Sequence, residues 1–335
     1  MIKLGMIGGG LNSAVGAAHV AALRMTGKFD LVAGCFSTDG LVNSDTANKY
    51  RTYAPENIKE LMALRPDRVV ILSPTTLHRQ HIENVAGYSL QHTPVLCEKA
   101  LGASSEETRW MLDYPAPLAC VFNYFFYDAV QKLRTLINDG EFGTITHIRA
   151  EMPQAGYLVS KPQEWRLTDD GIYLDLMTHL LHLVWGLTRE EPSQVWVQER
   201  KYSDQGVVDY VSAFVTYSTF TADLFVSKCS AGNTNGLRIR VYGTEGSAEW
   251  YQLRPDTLVF GRSDIPGVII KMEVPNKLFK LGHPSAGFVG SIASVYDAWS
   301  DNPSHQDLSP IVAHAGLIAI EAMRESAISG RSIYL

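Results

Sequence analysis

Residues 3–23, KLGMIGGGLNSAVGAAHVAAL, constrain the fold more than any other stretch of the chain. Leu4, Met6 and Ile7 make an apolar run of strand length, and Gly8, Gly9 and Gly10 follow at once. After Asn12, Ser13 and Gly16 comes an alanine-rich segment that favours a helix. Strand, glycine turn and helix N-terminus in that order suit the pyrophosphate of a dinucleotide. Glycines let the backbone approach the phosphates, and the helix dipole and free N–H groups face the charge. A tight turn between strand and helix with no ligand has the same pattern, so the rest of the chain must decide.

Size and charge narrow the classes. A chain of 335 residues with 46% hydrophobic and 19% charged residues fits an ordinary globular protein of about two domains. The net charge is −6 and no block of Lys and Arg stands out, which argues against a nucleic-acid partner. No apolar run reaches transmembrane length, and the N-terminus enters a strand without a signal peptide. Cys35, Cys97, Cys120 and Cys229 are scattered without CxxC or Cys/His spacing. That reads as reduced core thiols in a cytoplasmic protein and argues against a zinc site.

The first third alternates strand-like and helix-like segments. Residues 29–36 (FDLVAGCF) form a second strand, and residues 45–50 and 56–64 read as helices. Residues 68–73 (RVVILS) are a continuous apolar run, as in a strand buried on both faces of a parallel sheet. Residues 78–90, 94–98, 104–113 and 118–123 then alternate helix, strand, helix, strand. Repeated βα units predict a doubly wound parallel sheet. The pattern changes near residue 123. Residues 127–138 are an amphipathic helix, 144–152 a half-buried strand and 174–185 a helix. Between residues 193 and 250 several strands separated by polar turns predict a largely antiparallel sheet, and a last helix spans residues 310–329. The switch sets a boundary between a domain of residues 1–122 and one of residues 123–335.

Ligands of a doubly wound sheet bind outside the carboxyl ends of its strands. Three loops lie there: the glycine loop, Ser73-Pro74-Thr75-Thr76-Leu77-His78, and Glu98-Lys99-Ala100. Glu98 and Lys99 could be a surface ion pair, or the lysine could polarise a substrate oxygen beside a nicotinamide. Further on, Asp175 and His179 stand four apart in DLMTH, which places both on one helix face, and His182 lies three beyond. A carboxylate one turn from a histidine can orient a general acid/base. The same residues could bind a metal, but no fourth ligand of suggestive spacing accompanies them.

The glycine loop, SPTTLH after one strand, EK after the next, Trp165-Arg166, then DxxxH resemble, in order and spacing, the Gfo/Idh/MocA family of nicotinamide-dependent oxidoreductases. The resemblance spans nearly the whole chain and includes RVYGTEGSAEW at residues 240–250. It implies an N-terminal Rossmann domain and a C-terminal α/β domain whose large, mostly antiparallel open sheet forms a homodimer or homotetramer. It further implies NAD(P)-dependent hydride transfer on a hydroxyl or ketone of a sugar, nucleotide-sugar or cyclitol. By position, Lys99, Asp175 and His179 match the family's catalytic residues. His179 would move the hydroxyl proton and Lys99 would hydrogen-bond that oxygen. Asp175 would bind a neighbouring hydroxyl or orient the histidine. Cofactor contacts fall on Gly8, Gly10, Asn12, Ser13, Gly16, Ser37, Thr38, Ser73, Pro74, Thr75, His78, Glu98 and Lys99. Substrate contacts fall on Lys99, Trp165, Arg166, Asp175 and His179, with Tyr124, Gln154, Tyr157 and His283-Pro284 as further candidates near the cleft.

Three features depart from the family pattern. Ala100 stands where the family has proline, so the cis or trans geometry after Lys99 is open. Asp170-Gly171 replaces a Gly-Gly pair, and Ser13 stands where the compact motif has its third glycine. The ribose-binding acid is expected about 20 residues beyond the glycines. That position is Phe36, followed by Ser37 and Thr38, whose hydroxyls suit a 2′-phosphate, while Asp39 could take the acid's place. No Lys or Arg lies between Phe36 and Gly40, and the balance leans slightly to NADP. Two other activities use the same fold: an NAD-dependent glycoside hydrolase, and a non-catalytic cofactor or metabolite sensor.

Overall fold

The computed structural model describes residues 1–11, 13–89, 92–159, 167–265, 270–273 and 287–335. The first βα units are β1 (Ile2–Gly8), α1 (Ala14–Thr26), β2 (Phe29–Cys35), α2 (Gly40–Tyr50), α3 (Ile58–Ala63), β3 (Arg68–Leu72), α4 (His78–Tyr88), β4 (Val95–Cys97), α5 (Ser105–Met111) and β5 (Leu118–Cys120). Then come α6 (Asp128–Asn138), β6 (Ile145–Pro153), α7 (Gly156–Val159), a π-helical turn (Tyr173–Met177), α8 (Thr178–Thr188), β7 (Gln194–Arg200), β8 (Tyr210–Thr216) and β9 (Thr221–Ser227). The remainder is β10 (Arg238–Gly243), β11 (Gly246–Tyr251), β12 (Thr257–Arg262), β13 (Ile270–Glu273), α9 (Gly287–Asp301), α10 (Pro310–Ser329) and β14 (Ile333–Tyr334). Two compact units result: Met1–Phe126 with Leu278–His314, and Tyr127–Lys277 with Ala315–Leu335.

The first unit holds an all-parallel sheet in the order β2-β1-β3-β4-β5. A lone parallel bridge, Ala33 to Tyr53, flanks β2. With Tyr53 taken as a strand shortened to one residue, the order becomes that of a Rossmann sheet, with its switch between β1 and β3. Helices cover both faces, which is why the strands read as unbroken apolar runs. Val69, Val70, Ile71, Val95, Leu96 and Cys97 are fully buried. Ser13 caps α1 at its start, and Gly27 closes it in the left-handed conformation at φ 63°.

The sequence pattern gave everything after residue 122 to the second domain. The contacts instead return the described residues 287–314 to the first unit. The reason is α9, a helix the periodicity missed. Its Trp299 stacks on Phe29 of β2 at 5.8 Å between ring centroids, and its Tyr296 meets the same ring edge-on. Gly290, Ser291, Ala293 and Ser294 supply its small-residue face, and this dilutes the apolar period.

The second unit is built on nine strands in the order β13-β12-β11-β10-β6-β9-β8-β7-β14. β6 and β9 are parallel and all other neighbours antiparallel. Burial alternates along each strand, as a one-sided sheet requires. Ile148, Ala150 and Met152 point inward on β6, whereas Trp196 on β7 and Phe214 on β8 are exposed by 40% and 43% on the opposite face. β12, β13 and β14 extend the sheet beyond what the sequence suggested. Among the described residues no helix is long and apolar enough to cross a membrane.

Candidate active site

β1 ends in a turn that only glycine can make. Gly8 and Gly9 adopt φ of +82° and +75°, the left-handed region where a side chain is strained. Neighbours enforce the same choice. A Cβ on Gly8 would lie 2.6 Å from Ser73 N, and one on Gly10 would lie 2.9 Å from Phe36 O. On Gly16 it would lie 2.2 Å from Gly9 O. The glycine loop is therefore pressed against the ends of β3 and β2 and against the first turn of α1. A backbone this bare, at a helix N-terminus and a sheet switch point, fits a dinucleotide pyrophosphate. The Ser13 hydroxyl accepts from Gly16 N at 3.1 Å as the helix cap, so its polar group holds the helix. Asn12 lies outside the described residues.

At the end of β2, Phe36 is buried while Thr38 and Asp39 are exposed. The Asp39 carboxylate caps α2, accepting from Leu41 N at 2.9 Å and Val42 N at 3.1 Å. Ser37 Oγ accepts from Asp39 N at 3.1 Å.

Two buried histidines tie the remaining loops together. His78, expected among the cofactor contacts, is fully buried. Its Nε2 lies 2.8 Å from Ser73 O, and its Nδ1 lies 3.0 Å from Ala100 O and 3.2 Å from Leu101 O. The ring thus lies between the SPTT loop and the Glu98-Lys99-Ala100 turn, with a carbonyl oxygen facing each nitrogen. Burial drives its imidazole below the ordinary range, and a neutral ring carries one N–H to donate. Burial likewise lowers His81, whose Nδ1 lies 2.8 Å from Ser73 Oγ, to about 4. Thr75, in the short turn after Pro74, is also buried.

The second of these histidines is His19 on α1, also fully buried. Its Nε2 lies 2.9 Å from Glu98 Oε1 and its Nδ1 2.8 Å from Tyr296 Oη. An ionised carboxylate only accepts, so Nε2 carries the proton. In the neutral ring Nδ1 then accepts from the Tyr296 hydroxyl. The other carboxylate oxygen accepts from Lys99 N at 3.2 Å. Glu98, expected as a cofactor contact or as half of a surface ion pair, is anchored inward and fixes the backbone of Lys99. The Lys99–Ala100 peptide is cis, and Lys99 is half-buried. Neither His19 nor Tyr296 stood out in the sequence.

In the second unit, Asp175 lies in the π-helical turn and His179 lies in the first turn of α8. The sequence predicted one regular helix here. A π turn is a local widening that recurs at functional sites. Asp175 and His179 are each 8% exposed and His182 is 4% exposed. The partner of Asp175 is a residue the sequence did not flag: Lys228, just past β9, places Nζ 2.6 Å from Asp175 Oδ2 and 2.8 Å from Gln154 Oε1. The His182 ring lies beside Trp185, 5.9 Å between centroids. The turn is pinned from behind. Tyr173 Oη donates to Glu199 at 2.8 Å, and Arg324 bridges Glu199 and Asp170. Tyr157 is buried in this unit and Tyr124 in the first. Trp165, Arg166 and His283-Pro284 lie outside the described residues. Among the described residues no cluster of three His, Cys, Asp or Glu could hold a metal ion.

Comparison with known proteins agrees with this architecture. Residues 2–124 match the model of an oxidoreductase family with an NAD-binding Rossmann fold, and residues 130–249 match a GFO/IDH/MocA C-terminal domain. The glucose-6-phosphate 3-dehydrogenase of Bacillus subtilis is 27% identical over 344 positions, covering 92% of each chain. An inositol dehydrogenase homolog from Azotobacter vinelandii, solved with NADH and myo-inositol, superposes with a TM-score of 0.87 at 21% identity, covering 100% of this chain and 97% of that one. A levoglucosan dehydrogenase solved with NADH and levoglucosan gives a TM-score of 0.87 at 18% identity, covering 99% of both chains.

Proposed function

The chain belongs to the Gfo/Idh/MocA family of oxidoreductases, whose Rossmann domain binds NAD, and from that premise we propose that it oxidises or reduces a ring carbon of a sugar, nucleotide-sugar or cyclitol. One observation carries the reading. The loops after β1, β3 and β4 are braced to one another around the switch point of the sheet, and the third of them holds Lys99. When bound, the nicotinamide exchanges hydride with the substrate carbon. The chain's own residues do the rest. Gly8, Gly10 and Gly16 let the loop fold closely enough on β2, β3 and α1 for its bare main chain to face the pyrophosphate, and the loop of Ser73, Pro74 and Thr75 borders it. Lys99 donates a hydrogen bond to the reacting oxygen. His179 takes the hydroxyl proton as the carbon loses hydride, so that a carbonyl forms, and returns it in the reverse direction. Asp175 accepts from a neighbouring hydroxyl.

Ser37 and Thr38 meet the adenosine ribose. Asp39 caps α2 through Oδ1, and the Ser37 and Thr38 hydroxyls carry the slight lean to NADP. Relatives whose names carry glucose-6-phosphate, inositol and levoglucosan support a polyhydroxylated ring as substrate. The exposed aromatic face of the second sheet, with Trp196 and Phe214, is the proposed surface of a homodimer or homotetramer. The free thiols of Cys35, Cys97, Cys120 and Cys229 fit a reducing, cytoplasmic setting.

The test is absorbance at 340 nm with added NAD or NADP and a panel of hexose phosphates, anhydrosugars and inositols. Net reduction of added cofactor is expected, and His179→Ala should abolish it while cofactor binding persists. A tightly held cofactor that recycles without net turnover would favour the glycoside hydrolase. Turnover at the wild-type level in the variant would remove His179 from its role.

A further inference from the structure

We propose that Lys228 is a positioning residue for the substrate: it holds Asp175 ionised and fixed so that the carboxylate can accept a hydrogen bond from a substrate hydroxyl. The proposal rests on the reading above, in which Asp175 and His179 serve the substrate.

The geometry is built rather than incidental. Lys228 is 5% exposed and Asp175 8%, so both charges sit in a poorly solvated place. Their contact is 2.6 Å, and Gln154 Oε1 accepts from the same ammonium at 2.8 Å. The Gln154 amide is itself oriented, because its Nε2 donates to Asn235 Oδ1 at 3.0 Å and thereby leaves Oε1 to the lysine. The lysine's main chain is fixed on both sides. Its N donates to Asp209 O at 2.8 Å, and its O accepts from Tyr157 N at 3.0 Å.

The two segments that carry Gln154 and Lys228 do not need this pair to be held together. They are already joined by main-chain bonds, Gln154 N to Ser227 O and Ser230 N to Gln154 O, both 2.8 Å. Replacing a buried ion pair by apolar groups of similar volume is often neutral or stabilising. A buried carboxylate with its own buried cation, set in a π turn one helical step before His179, is therefore best explained by what the carboxylate does. Neutralised by Lys228, Asp175 remains an acceptor for a hydroxyl without having to take up a proton itself.

Lys228→Met should raise KM for the carbohydrate about tenfold or more, with kcat much less affected. That is the signature of lost binding common to ground and transition state. The dissociation constant of NAD(P) should not change. In the Asp175→Asn background the lysine has no carboxylate left to hold, so adding Lys228→Met should change KM by less than about threefold. This double variant removes both members of the buried pair and keeps the test open if Lys228→Met alone does not fold. An unchanged KM in a folded Lys228→Met, or a further large rise in the double variant, overturns the proposal. Failure of the underlying reading looks different: the wild-type protein itself would show no net turnover, or Asp175→Asn alone would leave KM unchanged.

Discussion

Gly16→Ala tests the glycine loop more sharply than any change to a side chain. The added Cβ would lie 2.2 Å from Gly9 O and 2.6 Å from both Gly9 C and Gly9 Cα. All three are main-chain atoms of the glycine loop, so no side chain can swing aside. The loop and the first turn of α1 must separate by roughly 1 Å, in an interior packed too densely to absorb the shift. Overpacking by one methyl costs about 1–3 kcal/mol, and a backbone obstacle places this case near the upper end. If the protein relieves the clash by opening the loop, restoring the binding geometry costs about the same amount. At about 1.4 kcal/mol per tenfold, the NAD(P) dissociation constant should rise roughly 100-fold. Titration of the reduced cofactor by fluorescence or calorimetry measures it. Gly87→Ala in α4 is the matched control. A Cβ there meets nothing within 4 Å, so binding should be unchanged and stability should rise by up to about 1 kcal/mol. A dissociation constant for Gly16→Ala within threefold of wild type would refute the argument that close packing at this loop forms the cofactor site.

Two further predictions concern the braces. His19→Leu leaves the Tyr296 hydroxyl buried without its acceptor and the Glu98 carboxylate without its donor. At about 1–3 kcal/mol for each of the two unsatisfied groups, urea unfolding should register a loss of about 2–6 kcal/mol, and a loss below 1 kcal/mol would show that the His19 bridge contributes little. His81, held near 4 against an ordinary 6.5, stabilises the fold as a neutral ring. Its contribution is fully present above about pH 6.5 and is lost as the pH falls toward 4, because the unfolded chain binds the proton first. The urea midpoint should decline across that window in the wild type and decline less in His81→Gln; parallel curves for the two proteins would exclude the assignment.

The parts of the fold legible in the sequence are those set by local pattern. The βα alternation of residues 3–123, the helices α6 and α10 and the run of strands from β6 to β11 each carry their own period or turn signals. The misses share a cause, since each is fixed by a distant partner. α9 has small residues where a periodic helix would have large ones, because that face lies close against α1 and the turn at Asn123–Phe126. The DxxxH pattern shows spacing but not the widened turn that carries Asp175. Lys228 lies 53 residues from Asp175, His19 79 from Glu98, and Tyr296 277 from His19. No window of the sequence contains both members of any of these pairs. Ala100 left the geometry after Lys99 open, because alanine breaks the family's EKP pattern, and the side chains facing the backbone of that turn, Glu98 and His78, carry no local signal of it.

Burial divides residues that a motif lumps together. His78, Thr75 and Glu98 belong to the same loops as Ser73 and Lys99, and a pattern match assigns all five to the cofactor. The structure gives the first three inward tasks. His78 lies between two carbonyl-bearing turns and donates its one N–H to one of them, Thr75 is covered, and Glu98 is bound to α1 through His19. Polar side chains that are largely buried and have partners inside the fold set the positions of their neighbours. A site of this kind has a thin layer of contact residues, some of them glycines that present only backbone, over a thicker layer of buried polar groups. Loss of function on substitution cannot by itself separate the layers, because displacing Glu98 displaces the Lys99 N–H it holds. The separation follows from where each polar atom is already satisfied, and on that criterion His19 and Tyr296 belong to the buried layer that holds Glu98, and through it the main chain of Lys99, in place.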